Sequence, residues 1–193
     1  HWGNCANSLS ILQKYTLLMT SNQGNPQDLM GQAILDYYHQ NNPAPFFTQT
    51  QHSEEEEMPM EYMFRSFDQM PLLEQKALEL AKGKVLDVGC GAGSHSLFLQ
   101  NERGLEVHAI DISPLSIEVA QQRGVQNAVV ADLMQLPQSN YDTILLLMNG
   151  TGICGQLNQL GAFLKQLNNL LAPNGQILID SSDLIYLFES DEE

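Results

Sequence analysis

The chain has 193 residues, enough for one domain with a sizeable core, and its 43% hydrophobic and 7% aromatic content is that of a globular protein. Acidic residues number 23 against 8 basic ones, and the net charge of −15 argues against nucleic acid or an anionic membrane surface as a partner. No apolar run approaches the roughly 18 residues of a membrane helix, no basic-then-apolar leader is visible, and Cys5, Cys90 and Cys154 lack metal-ligand spacing and fit a reduced, cytoplasmic setting with no metal site.

Residues 1–26, rich in Asn, Ser and Gln, hold one apolar patch from Leu9 to Met19 and are expected to be partly disordered. Over 27–40, Leu29, Met30, Ala33, Ile34, Tyr37 and Tyr38 recur at helical spacing and predict a helix. Asn41-Asn42-Pro43-Ala44-Pro45 ends it, because the residue before a proline avoids the helical region. Glu54–Glu57 reads as a solvated stretch rather than a metal site, since consecutive carboxylates point in different directions. Pro71 starts a helix through Lys82, and Gly83 stops it.

From Lys84 onward strands and helices alternate. The first strand is 84–88, followed by a helix from about Ser94 to Arg103 that Gly104 stops. The second strand is Glu106–Ile110; Ser113 then caps a helix with Pro114 at its first position and Gly124 beyond its end. Asn127–Val130 is the third strand and Tyr141–Met148 the fourth, apolar on both faces as in a parallel sheet covered on each side. A helix follows with Leu157, Leu160, Phe163, Leu164, Leu167, Leu170 and Leu171 on one stripe, and Pro173-Asn174-Gly175 turns the chain into a fifth strand, Gln176–Asp180. Such alternation predicts an α/β fold with a doubly wound, mostly parallel, Rossmann-like sheet and helices on both faces.

The first strand runs into Asp87-Val88-Gly89-Cys90-Gly91-Ala92-Gly93-Ser94, a glycine turn ahead of a helix N-terminus, where free N–H groups are aimed at a ligand. A dinucleotide fingerprint has glycine at the first, third and sixth places; here Ser94 holds the sixth. Asp87 is a poor neighbour for a pyrophosphate and a good one for an ammonium group. In sheets of this kind ligands bind outside the carboxyl ends of the strands. Asp111 ends the second strand, 20 residues after Gly91, placed to accept hydrogen bonds from ribose hydroxyls. Asp132 follows the third strand, placed to accept from a purine amino group, and Asn149-Gly150 follows the fourth, where a backbone carbonyl can meet an amino-acid moiety. Taken alone, Asp111 has a capping or turn aspartate as its alternative reading, and for Asp132 a turn or capping role is the better of the two.

Residues 84–180 resemble the cofactor half of class I S-adenosylmethionine-dependent methyltransferases. Val85–Gly93 matches that family's first motif, Asp111 in Val107-His108-Ala109-Ile110-Asp111-Ile112-Ser113 its ribose acid, Asp132 in Ala131-Asp132-Leu133 its adenine acid, and Leu171-Ala172-Pro173-Asn174-Gly175 its turn before the fifth strand. The resemblance implies S-adenosyl-L-methionine as cofactor, held by Asp87, Gly89, Cys90, Gly91, Gly93, Asp111, Ile112, Asp132, Leu133 and Asn149. It implies in-line methyl transfer to a small molecule, with residues 1–60 as a helical lid segment and 61–193 as the cofactor-binding α/β domain. Enzymes of the family that methylate DNA bases carry Asn or Asp, two prolines and an aromatic after the fourth strand; Asn149-Gly150-Thr151-Gly152 lacks them. His39, His52 and His95 are conceivable bases without a recognisable partner, so none is assigned. Tyr37, Tyr38, Tyr62 and Arg65 can line a substrate pocket, although core packing is the commoner fate of such aromatics.

The family's sheet has seven strands, whereas this chain reaches Glu193 only 13 residues after Asp180 and opens on His1. The expectation is a fragment of a longer protein, or a fifth-strand edge covered by a partner and able to self-associate. Two rival readings stand beside the enzyme: a catalytically silent cofactor-binding module of a larger assembly, and an NAD(P)-dependent oxidoreductase, which the glycine spacing and Asp87 disfavour.

Overall fold

Alternating apolar runs and amphipathic segments build a layered α/β unit in the computed structural model, which describes residues 28–41, 45–49 and 55–182. The expectations for residues 1–26, for Cys5, His52 and Glu54, and for the segment after Ser182 lie outside the described residues. Helix α1 (Leu29–His39) is followed by a short antiparallel pair, β1 (Phe47–Thr48) and β2 (Glu56–Glu57), and by 3₁₀ turns at Met60–Phe64 and Phe67–Gln69. Glu56 and Glu57 are exposed, as a solvated stretch should be. Then come α2 (Leu72–Leu80), β3 (Lys84–Val88), α3 (Ser94–Asn101), β4 (Glu106–Asp111), α4 (Pro114–Gln122), β5 (Ala128–Val130), β6 (Tyr141–Leu146), α5 (Leu160–Leu170) and β7 (Leu171–Ile179).

The main sheet has the order β5-β4-β3-β6-β7, and every pair in it is parallel. The chain works outward from β3 to β5, then crosses back to the far side of β3, so the direction of winding reverses between β3 and β6. A crevice opens at such a reversal beyond the carboxyl ends of the strands. This is the doubly wound sheet expected from the alternation.

Burial on both faces explains the apolar strands. Leu86, Val88, Ile144 and Leu146 pack with Phe163, Leu167 and Leu170 of α5. Val85, Val107, Leu145 and Leu147 point the other way, onto Ala77 and Leu78 of α2 and Leu99 of α3, while Ala109 meets Ile117 and Ala120 of α4. Each fully buried leucine contributes about 1.5–3 kcal/mol relative to an exposed one.

Three details depart from the sequence reading. The α5 stripe is narrower than drawn: Phe163, Leu167 and Leu170 are buried, but Leu157 lies in a 3₁₀ turn ahead of α5 and is 80% exposed, Leu160 at the first helical position is 39% exposed, and Leu164, one position round from Phe163, is 51% exposed. β7 begins at Leu171, ahead of the Pro-Asn-Gly turn, which bulges out of the ladder between the pairs Tyr141↔Leu171 and Thr143↔Gln176. Proline has no N–H for that ladder and Asn174 is left-handed at φ 65°, so the strand tolerates them only as a bulge. β6 stops at Leu146, two residues short, because Met148 and Asn149 turn left-handed at φ 61° and 65°.

Helix α1 is docked rather than loose. Asp28 caps α1 through the Gly31 N–H (3.1 Å) and accepts from the Ser113 hydroxyl (2.9 Å) and the Leu115 N–H (3.3 Å) at the start of α4. One carboxylate thus serves two helix N-termini. Ile34 and Val119 are buried between the two helices together with Met60 and Ala92. Among the described residues no helix is long and apolar enough to cross a membrane.

Candidate functional site

The crevice is lined first by the turn after β3. The N–H groups of Gly89 and Cys90 both reach back to the Ile110 carbonyl (2.8 and 3.0 Å), which folds the turn against β4. A side chain built at Gly91 meets nothing closer than Met63 Sδ at 3.6 Å, so the space above this residue is open. Gly93 is different: a Cβ there falls 2.7 Å from Val125 Cγ2, so this glycine lets α3 lie close to the neighbouring layer. Cys90 is buried, and desolvation, with the Asp87 and Asp111 carboxylates nearby, pushes its thiol up and keeps it protonated.

Asp111 stands at the carboxyl end of β4. Its Oδ2 accepts from the Gly91 N–H (2.9 Å) and its Oδ1 from the Ser113 N–H (2.9 Å). Burial raises this carboxyl above its ordinary value, opposed by those two backbone donors. A carboxylate has about four acceptor sites, so two N–H groups leave room for hydroxyls. Next to it Ile112 is 77% exposed, an apolar side chain in the open beside a polar crevice. Asp132 is exposed after β5 and caps the following 3₁₀ turn through Met134 N (2.8 Å). Leu133 is buried in the core beneath, leaving only its backbone for a ligand.

The opposite wall comes from the segment before β3. Tyr62, Met63, Arg65 and Met70 share a small cavity with Asp87, Gly89, Cys90, Gly91, Ser94 and His95, and with Leu147 and Met148 beyond β6. Asp87 is 2% exposed and accepts from the Ser96 hydroxyl (2.6 Å); desolvation raises its carboxyl, against the opposing pull of His95 and Ser96. Glu74 of α2 accepts from Arg65 (3.0 Å) and pairs with His95 (2.9 Å). Burial alone would raise the Glu74 carboxyl, but His95 and Arg65 together outweigh it and hold it below its ordinary value.

Of the residues expected here, Asp87, Gly89, Cys90 and Gly91 meet in one cavity, and Asp111 and Ile112 lie on its β4 side. Asn149 does not join them. Its carbonyl accepts from Gly152 N and its side chain from the Ser182 N–H and hydroxyl, so the positions facing the cavity after β6 are Leu147 and Met148. Asp180 holds that turn, accepting from Met148 N and Gly150 N at 3.0 Å each. Two consecutive left-handed non-glycine residues cost about 1–3 kcal/mol each and persist only where the surroundings over-determine them.

Glu74 and Asp180 escape a reading of the sequence. Glu74 had a signal, an acid on the row that Ala77 and Leu78 continue into the core; Asp180 had the same signal as Asp111, a carboxylate at a strand end. Tyr37 and Tyr38 pack against Phe64, as core packing predicts, whereas Tyr62 is 46% exposed at the cavity mouth. His39 is exposed at the end of α1, away from the cavity lining.

Residues 85–175 match the family described as a methyltransferase domain. A S-adenosylmethionine-dependent methyltransferase from Bacteroides fragilis, solved in complex with S-adenosyl-L-homocysteine, is 48% identical with a TM-score of 0.80, over 85% of this chain and 68% of that one. Among curated proteins, a malonyl-[acyl-carrier protein] O-methyltransferase from Pseudescherichia vulneris is 32% identical over 58% of this chain. A ubiquinone biosynthesis O-methyltransferase from Xanthomonas euvesicatoria is 29% identical over 54% of this chain. The chain spans about half the length of these two curated relatives, 47% and 45%.

Proposed function

This chain belongs to the S-adenosylmethionine-dependent methyltransferases, and from that premise we propose that it binds S-adenosyl-L-methionine in the β3–β4 crevice and transfers its methyl group to a small molecule. The observation that carries the proposal is the Asp111 carboxylate, fixed 2.9 Å from the amide of Gly91 where the space above the glycine is open. The residues present fit the cofactor. Asp111 has free acceptor sites for the ribose hydroxyls, and the exposed Ile112 offers an apolar cover for a purine face. Asp132 keeps acceptor capacity for an exocyclic amine beside the backbone of Leu133. When bound, the cofactor supplies a methyl group already activated on a positively charged sulfur.

What the chain adds is alignment and exclusion of water. Asp87, behind the loop, puts negative charge beneath an ammonium group. Tyr62 and Met148, 46% and 38% exposed, flank the opening through which an acceptor would approach, with Ile153 near Gly89. Residues up to 60, represented by α1 and the β1–β2 pair, act in this reading as the lid, hinged where Asp28 joins α1 to α4. Calorimetry should give binding heats for S-adenosylmethionine and S-adenosylhomocysteine and none for NAD. Asp111→Ala should weaken both by about 1–3 kcal/mol, the scale of hydrogen bonds to a charged acceptor. Unchanged affinity in that variant would sink the ribose assignment.

The same proposal takes the site of action as cytoplasmic and, from the −15 charge, neither nucleic acid nor an anionic membrane surface as a partner. It also includes self-association. Among the described residues β7 has no neighbour on its outer edge, Ile179 is 41% exposed there, and Leu72, Leu73 and Leu80 of α2 lie exposed beside it. An open apolar edge is a template for pairing. Sedimentation should show dimers or larger species that Ile179→Lys reduces; a monomer at every concentration would remove this part of the proposal.

A further inference from the structure

Two carboxylates distant in the chain meet at the start of α4. Asp28, at the head of α1, is 9% exposed and carries three hydrogen bonds. Its Oδ1 accepts from the Gly31 N–H (3.1 Å), and its Oδ2 from the Ser113 hydroxyl (2.9 Å) and the Leu115 N–H (3.3 Å). Asp111, at the end of β4, accepts from the Ser113 N–H on Oδ1 at 2.9 Å. Ser113 therefore gives its hydroxyl hydrogen to one carboxylate and its amide hydrogen to the other. Its hydroxyl oxygen accepts in turn from the Ser116 N–H (2.9 Å). Pro114 has no N–H, so Leu115 and Ser116 carry the first free donors of α4. Asp28 takes one, and the Ser113 hydroxyl that Asp28 orients takes the other.

Helices α1 and α4 are shaped for this approach. A Cβ at Gly31 would fall 2.3 Å from Ser113 Oγ and 2.4 Å from Asp28 Oδ1, so the glycine of α1 stands where the Asp28–Ser113 contact is made. Glycine inside a helix costs stability, and close approach is what it provides here. Capping α1 needs only Oδ1 and the Gly31 N–H; Oδ2 is directed wholly at α4. The charge of Asp28 is felt at Asp111 as well. Burial raises the Asp111 carboxyl most, and the Asp28 carboxylate adds to the rise, against the opposing Ser113 and Gly91 amides. A more basic carboxylate is the stronger acceptor for hydroxyl groups.

Resting on the cofactor reading above, we infer that Asp28 is a positioning residue for Asp111: through Ser113 it fixes the carboxylate that receives the ribose hydroxyls, so that docking of α1 and the grip on the ribose are one coupled event. Asp28 itself touches no ligand. Coupling between two sites is reciprocal, so a ligand that orders Asp111 also tightens α1 onto α4. No bond is made or broken and no proton moves.

Two probes isolate this role. S-adenosylhomocysteine carries the ribose hydroxyls; its 2′,3′-dideoxy analogue keeps the adenine, the sulfur and the amino-acid tail without them. Asp28→Asn is the sharpest variant, because asparagine caps a helix as well as aspartate does and keeps the Gly31 bond. Its amide nitrogen only donates, so it cannot accept from the Ser113 hydroxyl or the Leu115 N–H. By calorimetry this variant should weaken S-adenosylhomocysteine about three- to tenfold, the scale of one hydrogen bond, and leave the dideoxy analogue within about twofold. Gly31→Ala, which keeps both carboxylates but pushes α1 off Ser113, should show the same selectivity. In a Ser113→Ala background Asp28→Asn should cost less than in the unmutated chain, since the link is already cut. In the unmutated protein, S-adenosylhomocysteine should slow hydrogen exchange of the α1 amides more than the dideoxy analogue does at equal saturation.

Equal losses for both probes in Asp28→Asn would overturn the inference, because Asp28 would then merely hold two helices together. So would undiminished affinity for S-adenosylhomocysteine in that variant, or equal slowing of α1 exchange by both probes, a measurement that needs no variant to fold. Equal affinity of the unmutated protein for the two probes is a different result: it removes the ribose assignment at Asp111 and the role of Asp28 with it. Failure of the unmutated protein to bind S-adenosylhomocysteine at all overturns the cofactor reading itself.

Discussion

Gly91→Val is expected to lower affinity for S-adenosylhomocysteine by at least about a hundredfold, close to 3 kcal/mol, while the chain still folds cooperatively. Two costs add. Gly91 sits at φ +52°, a conformation that a β-branched residue adopts at about 1–3 kcal/mol of strain, and the N–H it presents to Asp111 must keep its direction for that carboxylate to stay in place. The valine methyl groups would then project into the open space above the loop, where the nearest protein atom to a Cβ is Met63 Sδ at 3.6 Å. Because that space is empty of protein, folding tolerates the side chain better than ligand binding does. Gly91→Ala separates the two costs, since its single carbon fits and only the backbone strain remains. Calorimetry with a far-ultraviolet circular dichroism melt on each variant is the measurement. Undiminished affinity in Gly91→Val would show that the loop does not cradle the cofactor.

Gly93→Ala, only two residues away, should fail for the opposite reason. Its Cβ would sit 2.7 Å from Val125 Cγ2 and 3.2 Å from Ala120 Cβ, inside the packing between α3 and the end of α4, and φ is +81°. Left-handed strain of about 1–2 kcal/mol and overpacking of about 1–3 kcal/mol give an expected destabilisation of roughly 2–5 kcal/mol. For a chain of this size that corresponds to a fall in melting temperature of roughly 5–15 °C. A thermal melt without ligand tests it. An unchanged midpoint would mean that the helix can shift away at no cost, and the close-approach role assigned to Gly93 would be wrong. The two neighbouring glycines thus predict separable phenotypes, lost binding at Gly91 and lost stability at Gly93.

What was legible in the amino-acid sequence is short-range or periodic. The order of strands and helices from Lys84 to Ile179 follows from apolar runs of five or six residues and from caps such as Ser113-Pro114, where each signal acts within a few residues of itself. The glycine turn and the carboxylate at Asp111 were equally visible, because a strand must end before a ligand can be met and only a few residue types suit that position. Tertiary structure alone decided which groups face one another. That Leu160 and Leu164 stay exposed while Phe163 and Leu167 are buried depends on where α5 lies on the sheet, since all four belong to the one apolar face that the sequence period marks. That Asn149 turns to Ser182, leaving Leu147 and Met148 at the cavity, depends on Asp180 arriving from β7 to hold the turn. The largest such case is Glu74. On an amphipathic helix it reads as a misplaced acid, and only the packing of α2 against the start of α3 and against the turn that carries Arg65 supplies the His95 and Arg65 partners. A buried charge is stable only when paired, and pairing between residues distant in the chain is a property of the packed fold that no local pattern encodes.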